Sequence, residues 1–324
     1  MYNREQINSV NKVLKRNKTN YWTGLECRKF EKEFSIYHKV KYSLAVSNGS
    51  VALELSLKAL NLNKNDQVIV SPRSFIISAS CVLNLGLKPL FSDVDDNGNL
   101  SIKEILKVYN KNVKAIILVH LNGLPCDMEP ILKFAKNNKL FLIEDCSQAH
   151  GAIYKNSKVG SLGDISTWSF CQDKIISTGG EGGMISTNNK KLWLKIWSMK
   201  EHGKNYQSVF HKKHKIGFKW LHDDLGSNYR MTEMQATIGR IQLRCLDNTI
   251  KKRNLIVDLY LNRLKYFNLK KKIFKIPNFK CQSCPLKQNL KKCNECLHAF
   301  YRLNLFLNEK KNIQNKLIKQ FNKK

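Results

Sequence analysis

The chain has 324 residues, 42% of them hydrophobic, and its 56 lysines and arginines against 25 aspartates and glutamates give a formal net charge of +31. That apolar share is ordinary for a globular protein and excludes disorder as the default, and no stretch reaches the uncharged apolar length of a membrane span. The cationic excess is mostly lysine, spread along the chain, and no helix-turn-helix, RNA-recognition or zinc-finger pattern organises it, so specific nucleic-acid binding is not expected.

The N-terminal MYNREQINSVNKVLKRN is polar and helix-like, without an apolar signal-peptide core, so a soluble cytoplasmic protein is expected. VALELSLKAL (51–60) has helical composition and spacing. A strand follows at Gln67–Val70, limited by Pro72, and another at Lys88–Val94. SIKEILKVYN reads as a helix capped by Ser101, with Glu104 three residues on. Lys114–His120 is a buried-type strand, Met128–Asn138 a helix and Leu140–Glu144 a further apolar strand. Two more strands are expected at Ser166–Phe170 and Gly183–Thr187. From Met231 the pattern changes to sustained helical spacing, which suits a connector into a second domain.

Strands alternating with helices imply an α/β layer fold with a mainly parallel sheet, and ligands of such sheets sit at the carboxyl ends of the strands. That rule directs attention to Ser71–Phe75, His120–Gly123, Asp145–His150 and Cys171–Lys174. Ser47-Asn48-Gly49-Ser50, just before a helix, exposes backbone N–H groups that favour an anion such as a phosphate, although the same residues serve equally as a simple cap. Glu144-Asp145 ends an apolar strand in two carboxylates, at least one of which must reach the ligand edge; by itself the pair does not choose among metal binding, base catalysis and cofactor pairing. Lys174 stands just ahead of the glycine-dense STGGEGG, which fits a cofactor amine pocket because glycine permits close backbone approach. The segment fits neither a Rossmann fingerprint nor a P-loop.

Thr23–Phe34, Ala45–Leu60, Ser71–Ser80, Val119–Met128, IEDCSQAHGAIY (143–154), SLGDISTWSFCQDKIISTGGEGGMIST (161–187) and GSNYRMTEMQATIGRIQL (226–243) together resemble the DegT/DnrJ/EryC1/StrS family, with an echo in HAFYRLNLFL (298–307). The resemblance implies a fold-type-I transferase dependent on pyridoxal 5'-phosphate (PLP): a three-layer αβα large domain with a mainly parallel mixed sheet, and a smaller C-terminal α+β domain. It places the cofactor domain at 1–245 and the connector with a shortened small domain at 246–324. Lys174 would hold PLP as a Schiff base and shuttle the proton, and Asp145 would pair with the pyridine nitrogen. Gln148 would hydrogen-bond near the cofactor's 3-hydroxyl, Phe75 would stack on the ring, and Gly49, Ser50 and Ser169 would hold the phosphate. Asn228 or Arg230 would complete the phosphate site of a partner subunit, so a homodimer with interfacial active sites is implied. The implied reaction moves an amino group from an amino acid, usually glutamate, to a keto sugar nucleotide in glycan biosynthesis. A regulatory or nucleic-acid-binding protein on the same scaffold is the alternative, prompted by the charge; a sugar dehydratase is disfavoured, since those relatives carry histidine where this chain keeps Lys174.

The sequence ends at Lys324, before the family's usual small domain is complete, and an abbreviated closing element is expected. Six cysteines are scattered singly up to Cys245, as reduced thiols are. The other four form Cys281-x-x-Cys284 and Cys293-x-x-Cys296, separated by eight residues. They match either a tight structural zinc site or four reduced thiols in a surface insertion.

Overall fold

The computed structural model describes residues 2–213, 222–266, 274–275 and 295–307, and positions 315 and 319. The first half builds α1 (Arg4–Lys15), α2 (Glu26–His38), β1 (Tyr42–Val46), α3 (Gly49–Ala59), β2 (Gln67–Val70), α4 (Ile77–Asn84), β3 (Lys88–Phe91), α5 (Ile102–Val108) and β4 (Val113–Val119). Then come α6 (Met128–Asn137), β5 (Phe141–Asp145), a small hairpin of β6 (Ile153–Tyr154) and β7 (Ser157–Lys158), β8 (Ile165–Ser169) and β9 (Gly183–Thr187). The remainder is helical, with α7 (Lys190–Lys200), α8 (Tyr206–Phe210), α9 (Glu233–Arg244) and α10 (Leu246–Tyr266), and a two-stranded pair of β10 (Phe274–Lys275) and β11 (Phe306–Leu307).

The main sheet has seven strands in the order β1-β9-β8-β5-β4-β2-β3. Neighbours from β8 through β3 are parallel, whereas β9 runs antiparallel to both β8 and β1. Apart from the exposed edge strand β3, its strands are buried on both faces, which is why β2, β4 and β5 read as near-continuous apolar runs. Successive side chains alternate between two cores. Leu142, Trp168 and Met184 pack with Phe30, Phe34, Met128 and Ala236 from α2, α6 and α9. Leu44, Ile143, Ile165 and Ile185 pack on the other side with Leu53, Val82 and Trp197 from α3, α4 and α7. The architecture is thus a three-layer α/β fold with a mainly parallel mixed sheet, as expected.

Three details differ from the sequence reading. Tyr42–Val46, where no strand is expected, pairs along its whole length with β9 and buries Leu44, Ala45 and Val46. The strand expected at Lys88–Val94 stops at Phe91, and Val94 instead bridges to Leu100. The helical run after Met231 is two helices, broken at Cys245, which closes α9 by donating its N–H to Gln242 O.

Candidate active site

The carboxyl ends of β5 and β8, the N-terminus of α3 and the loop after β2 surround one cavity of about 950 Å³. Gly49, Ser50, Phe75, Asp145, Gln148, Ser169 and Lys174 all line it. Asn228 and Arg230 do not.

Asp145 forms the buried floor. As the last residue of β5 it follows Phe141 and Ile143 onto the α3 face of the sheet, while Glu144 points to the opposite face. Its Oδ1 accepts the Ser147 N–H at 3.0 Å. Burial raises its pKa, only partly countered by Ser147, His120 and Lys174. A cation placed beside this carboxylate would therefore be strongly favoured.

Glu144 is a structural staple. Its Oε2 accepts the Gly160 N–H at 2.8 Å, and its Oε1 accepts those of Leu162 and Gly163 at 2.8 and 2.6 Å. His120 Nδ1 accepts the Cys126 N–H, which leaves Nε2–H to donate to Glu144 at 3.1 Å. Burial pushes the Glu144 pKa up, but His120 and the amides outweigh it and hold the carboxyl below its ordinary range. His120, Glu144 and Cys146 offer ligand atoms within 4.8 Å of one another, yet the Glu144 oxygens are already occupied by N–H donors.

At the α3 N-terminus Asn48 caps the helix, its Oδ1 accepting the Val51 N–H at 2.9 Å. The first N–H groups of a helix have no intrahelical acceptor and point outward with the positive end of the dipole. Here they face the cavity beside Ser50 and Ser169. The approach of α3 to β8 requires glycine, because a Cβ on Gly49 would sit 2.7 Å from Ser169 Cβ. Gln148 Oε1 accepts the Asn122 N–H at 2.6 Å, which turns its amide nitrogen toward other acceptors. Phe75 is 70% exposed, on the lip of the cavity.

Lys174 lies across from Asp145 in the loop after β8. Its Nζ donates to Asp173 Oδ2 at 3.2 Å and to the Tyr301 hydroxyl at 3.4 Å. Tyr301 and Arg302, which also line the cavity, come from the HAFYRLNLFL segment, where the sequence offered a family echo but no role. Arg73, Asn122 and Asp173 line it as well; they fall in the strand-end segments that the sequence pointed to, which gave them no individual role.

Arg230 is held inside its own chain. Its Nη1 donates to Glu201 Oε2 at 3.0 Å, and that buried carboxylate also accepts Trp22 Nε1 and pairs with Lys200. Asn228 is exposed. Of the four C-terminal cysteines, Cys281, Cys284 and Cys293 lie outside the described residues; Cys296 is half-buried and accepts the Lys155 N–H on its sulfur.

The DegT/DnrJ/EryC1/StrS aminotransferase family matches residues 1–324. The chain belongs to that family. It is 42% identical over 238 residues to GDP-perosamine synthase of Escherichia coli O157:H7, an alignment covering 73% of this chain and 62% of that protein. The chain thus spans about three fifths of the length of such curated relatives, here 62%. Among solved structures, the aminotransferase from Psychrobacter cryohalolentis superposes with a TM-score of 0.93 at 42% identity, covering all of this chain (100%) and 81% of that one. NtdA from Bacillus subtilis, solved with the bound cofactor PMP, superposes with a TM-score of 0.82 at 26% identity, covering 98% of this chain and 66% of that one. The fold is that of the fold-type-I PLP-dependent aminotransferases.

Proposed function

We propose that this chain binds PLP in the cavity and transfers an amino group from an amino acid, with glutamate the expected donor, to a keto sugar nucleotide in glycan biosynthesis. The observation that carries this reading is the meeting, around one cavity, of a buried carboxylate at the end of β5, a lysine after β8 and the open N-terminus of α3. These groups fit the cofactor: a carboxylate for a protonated ring nitrogen, an amine for an aldehyde, and helix N–H groups with two serines for a phosphate. When bound, PLP supplies an electron sink for the carbon that loses its proton.

The chain's own residues do the rest. Asp145 holds the ring nitrogen protonated, which its buried setting makes favourable. Lys174 would hold the cofactor through its Nζ and would serve as the group that moves the proton at the substrate carbon. Gly49, Ser50 and Ser169 anchor the phosphate, Gln148 donates toward the ring oxygen, and Phe75 covers the ring from the lip. A partner subunit in a homodimer completes the phosphate site with its Asn228, in preference to Arg230, whose guanidinium is already bound to Glu201. Residues 1–245 act as the cofactor domain, with 246–324 as connector and small domain, and the enzyme works in the cytoplasm. No helix among the described residues is long and apolar enough to cross a membrane. The cationic surface serves an anionic substrate.

The test is a pair of half-reactions. Purified protein with PLP should show a visible absorption band that borohydride fixes to Lys174 and that glutamate bleaches. A panel of keto sugar nucleotides should then restore it. Protein that takes up no PLP, or a band that no amino donor changes, would refute the proposal.

A further inference from the structure

Lys174, Asp173 and Tyr301 form a closed ring of contacts. Lys174 Nζ lies 3.2 Å from Asp173 Oδ2, 3.4 Å from the Tyr301 hydroxyl and 5.0 Å from the centre of the Tyr301 ring. The Tyr301 hydroxyl donates to the same Asp173 oxygen. Asp173 and Lys174 share one loop, whereas Tyr301 arrives from 127 residues downstream of Lys174. The segment that brings it is well tied: Ala299 N–H donates to Gly123 O, Arg253 Nη1 to Phe300 O, and Arg302 N–H to Asn122 O.

A lysine bonds to an aldehyde only as a neutral amine. The Nζ lone pair forms the new bond to carbon, and the carbonyl oxygen leaves as water with the amine's two protons. An ammonium must first release its third proton to solvent. A carboxylate and a phenol at hydrogen-bond distance oppose that release. We propose that Asp173 and Tyr301 are positioning residues that hold the Lys174 amine as an ammonium against the cavity wall whenever no cofactor is bonded to it, and so set the pH at which it captures PLP. The inference rests on the reading that Lys174 carries PLP.

The other groups around the amine are accounted for. Asp145 faces it from β5 and would also favour the ammonium, while the buried His150 is neutral and its pKa is lowered to about 3. Cys171 and Glu181 line the same cavity. Arg302 Nη2 lies 3.4 Å from the Tyr301 hydroxyl, and Arg253 on α10 also acts on Tyr301. Burial works against the ammonium, but Tyr301 and Asp173 outweigh it and raise the Lys174 pKa. Asp173 responds in kind: burial raises its pKa, but Tyr301 and Lys174 prevail and lower it.

The experiment mixes PLP with cofactor-free protein in a stopped-flow spectrophotometer from about pH 6 to about pH 10. Asp173→Asn should move the rise in capture rate down by about one pH unit, making capture about tenfold faster near neutrality. Tyr301→Phe should move it in the same direction by less, and Asp173→Glu should restore the wild-type profile. The Asp173 side chain is 51% exposed, so these isosteric or conservative changes leave folding intact, which equal final PLP content verifies. Superimposable profiles for wild type and Asp173→Asn, or a failed rescue by Asp173→Glu, would overturn the proposal. Wild-type protein that never takes up PLP would instead remove the cofactor reading, and this inference with it.

Discussion

On β5 the side chains of Glu144 and Asp145 leave the strand in opposite directions, and their different surroundings separate two chemically similar carboxyls. Asp145→Ala should still bind PLP through Lys174 but lose about a hundredfold or more of its transamination rate, measured as single-turnover bleaching by glutamate. Glu144→Gln has another consequence. The glutamine NH₂ would confront backbone N–H groups in a buried site, at a cost of about 3 kcal/mol of unfolding free energy, seen as a lower urea midpoint. Because the folded Glu144 pKa is depressed, its stabilisation is present above the ordinary carboxylate range and is lost as pH falls through the folded value. The variant's stability should therefore vary less with pH in that acid range than the wild type's. Alternation along a strand is legible in sequence, but which face looks into a cavity is not. That depends on helix α3 lying over one side, with its N-terminus beside Ser169.

At the scale of elements, the junction of α3 with β8 is the tightest part of the proposed phosphate cradle. Gly49→Ala would drive a Cβ to 2.7 Å from Ser169 Cβ, so α3 must shift outward. PLP affinity should fall about tenfold or more, by equilibrium absorbance titration, while Asn48→Ala costs about 1 kcal/mol of stability through the lost cap. The helix and its capping sequence were readable in order, since Asn48-Gly49-Ser50 before VALELSLKAL is a local signal. Strand β1 was not readable. YSLAV is short, and it becomes a strand by pairing with β9, far along the chain. The break at Cys245 between α9 and α10 likewise left no glycine or proline to mark it.

For the whole molecule, buried histidines set the acid limit. His150 and His298 are held at a pKa of about 3 by burial, and His38 well below its usual value for the same reason. As pH falls from about 6.5, the unfolded chain takes up protons that these folded rings refuse until about pH 3. Each such histidine should therefore remove about 1.4 kcal/mol per pH unit below about pH 6.5, a loss that the buried Glu31, its carboxyl raised to about 7, offsets by one such increment down to the ordinary carboxylate range. Denaturation midpoints across that window test this, and His150→Leu should shallow the slope. The charge of +31 makes a second prediction: kcat/KM for an anionic sugar nucleotide should drop as salt rises, by screening of long-range attraction.

The sequence by itself determined the layer class, most strands and the collinear motifs that place Lys174 and Asp145, because those signals are local: apolar runs, a capped helix start, a lysine ahead of clustered glycines. Only the tertiary structure decided that Glu144 faces away while Asp145 faces the cavity, that Arg230 is occupied by Glu201 and that Tyr301 sits on Lys174. Each of these depends on groups distant in sequence being brought within hydrogen-bond reach, and no linear spacing encodes that distance.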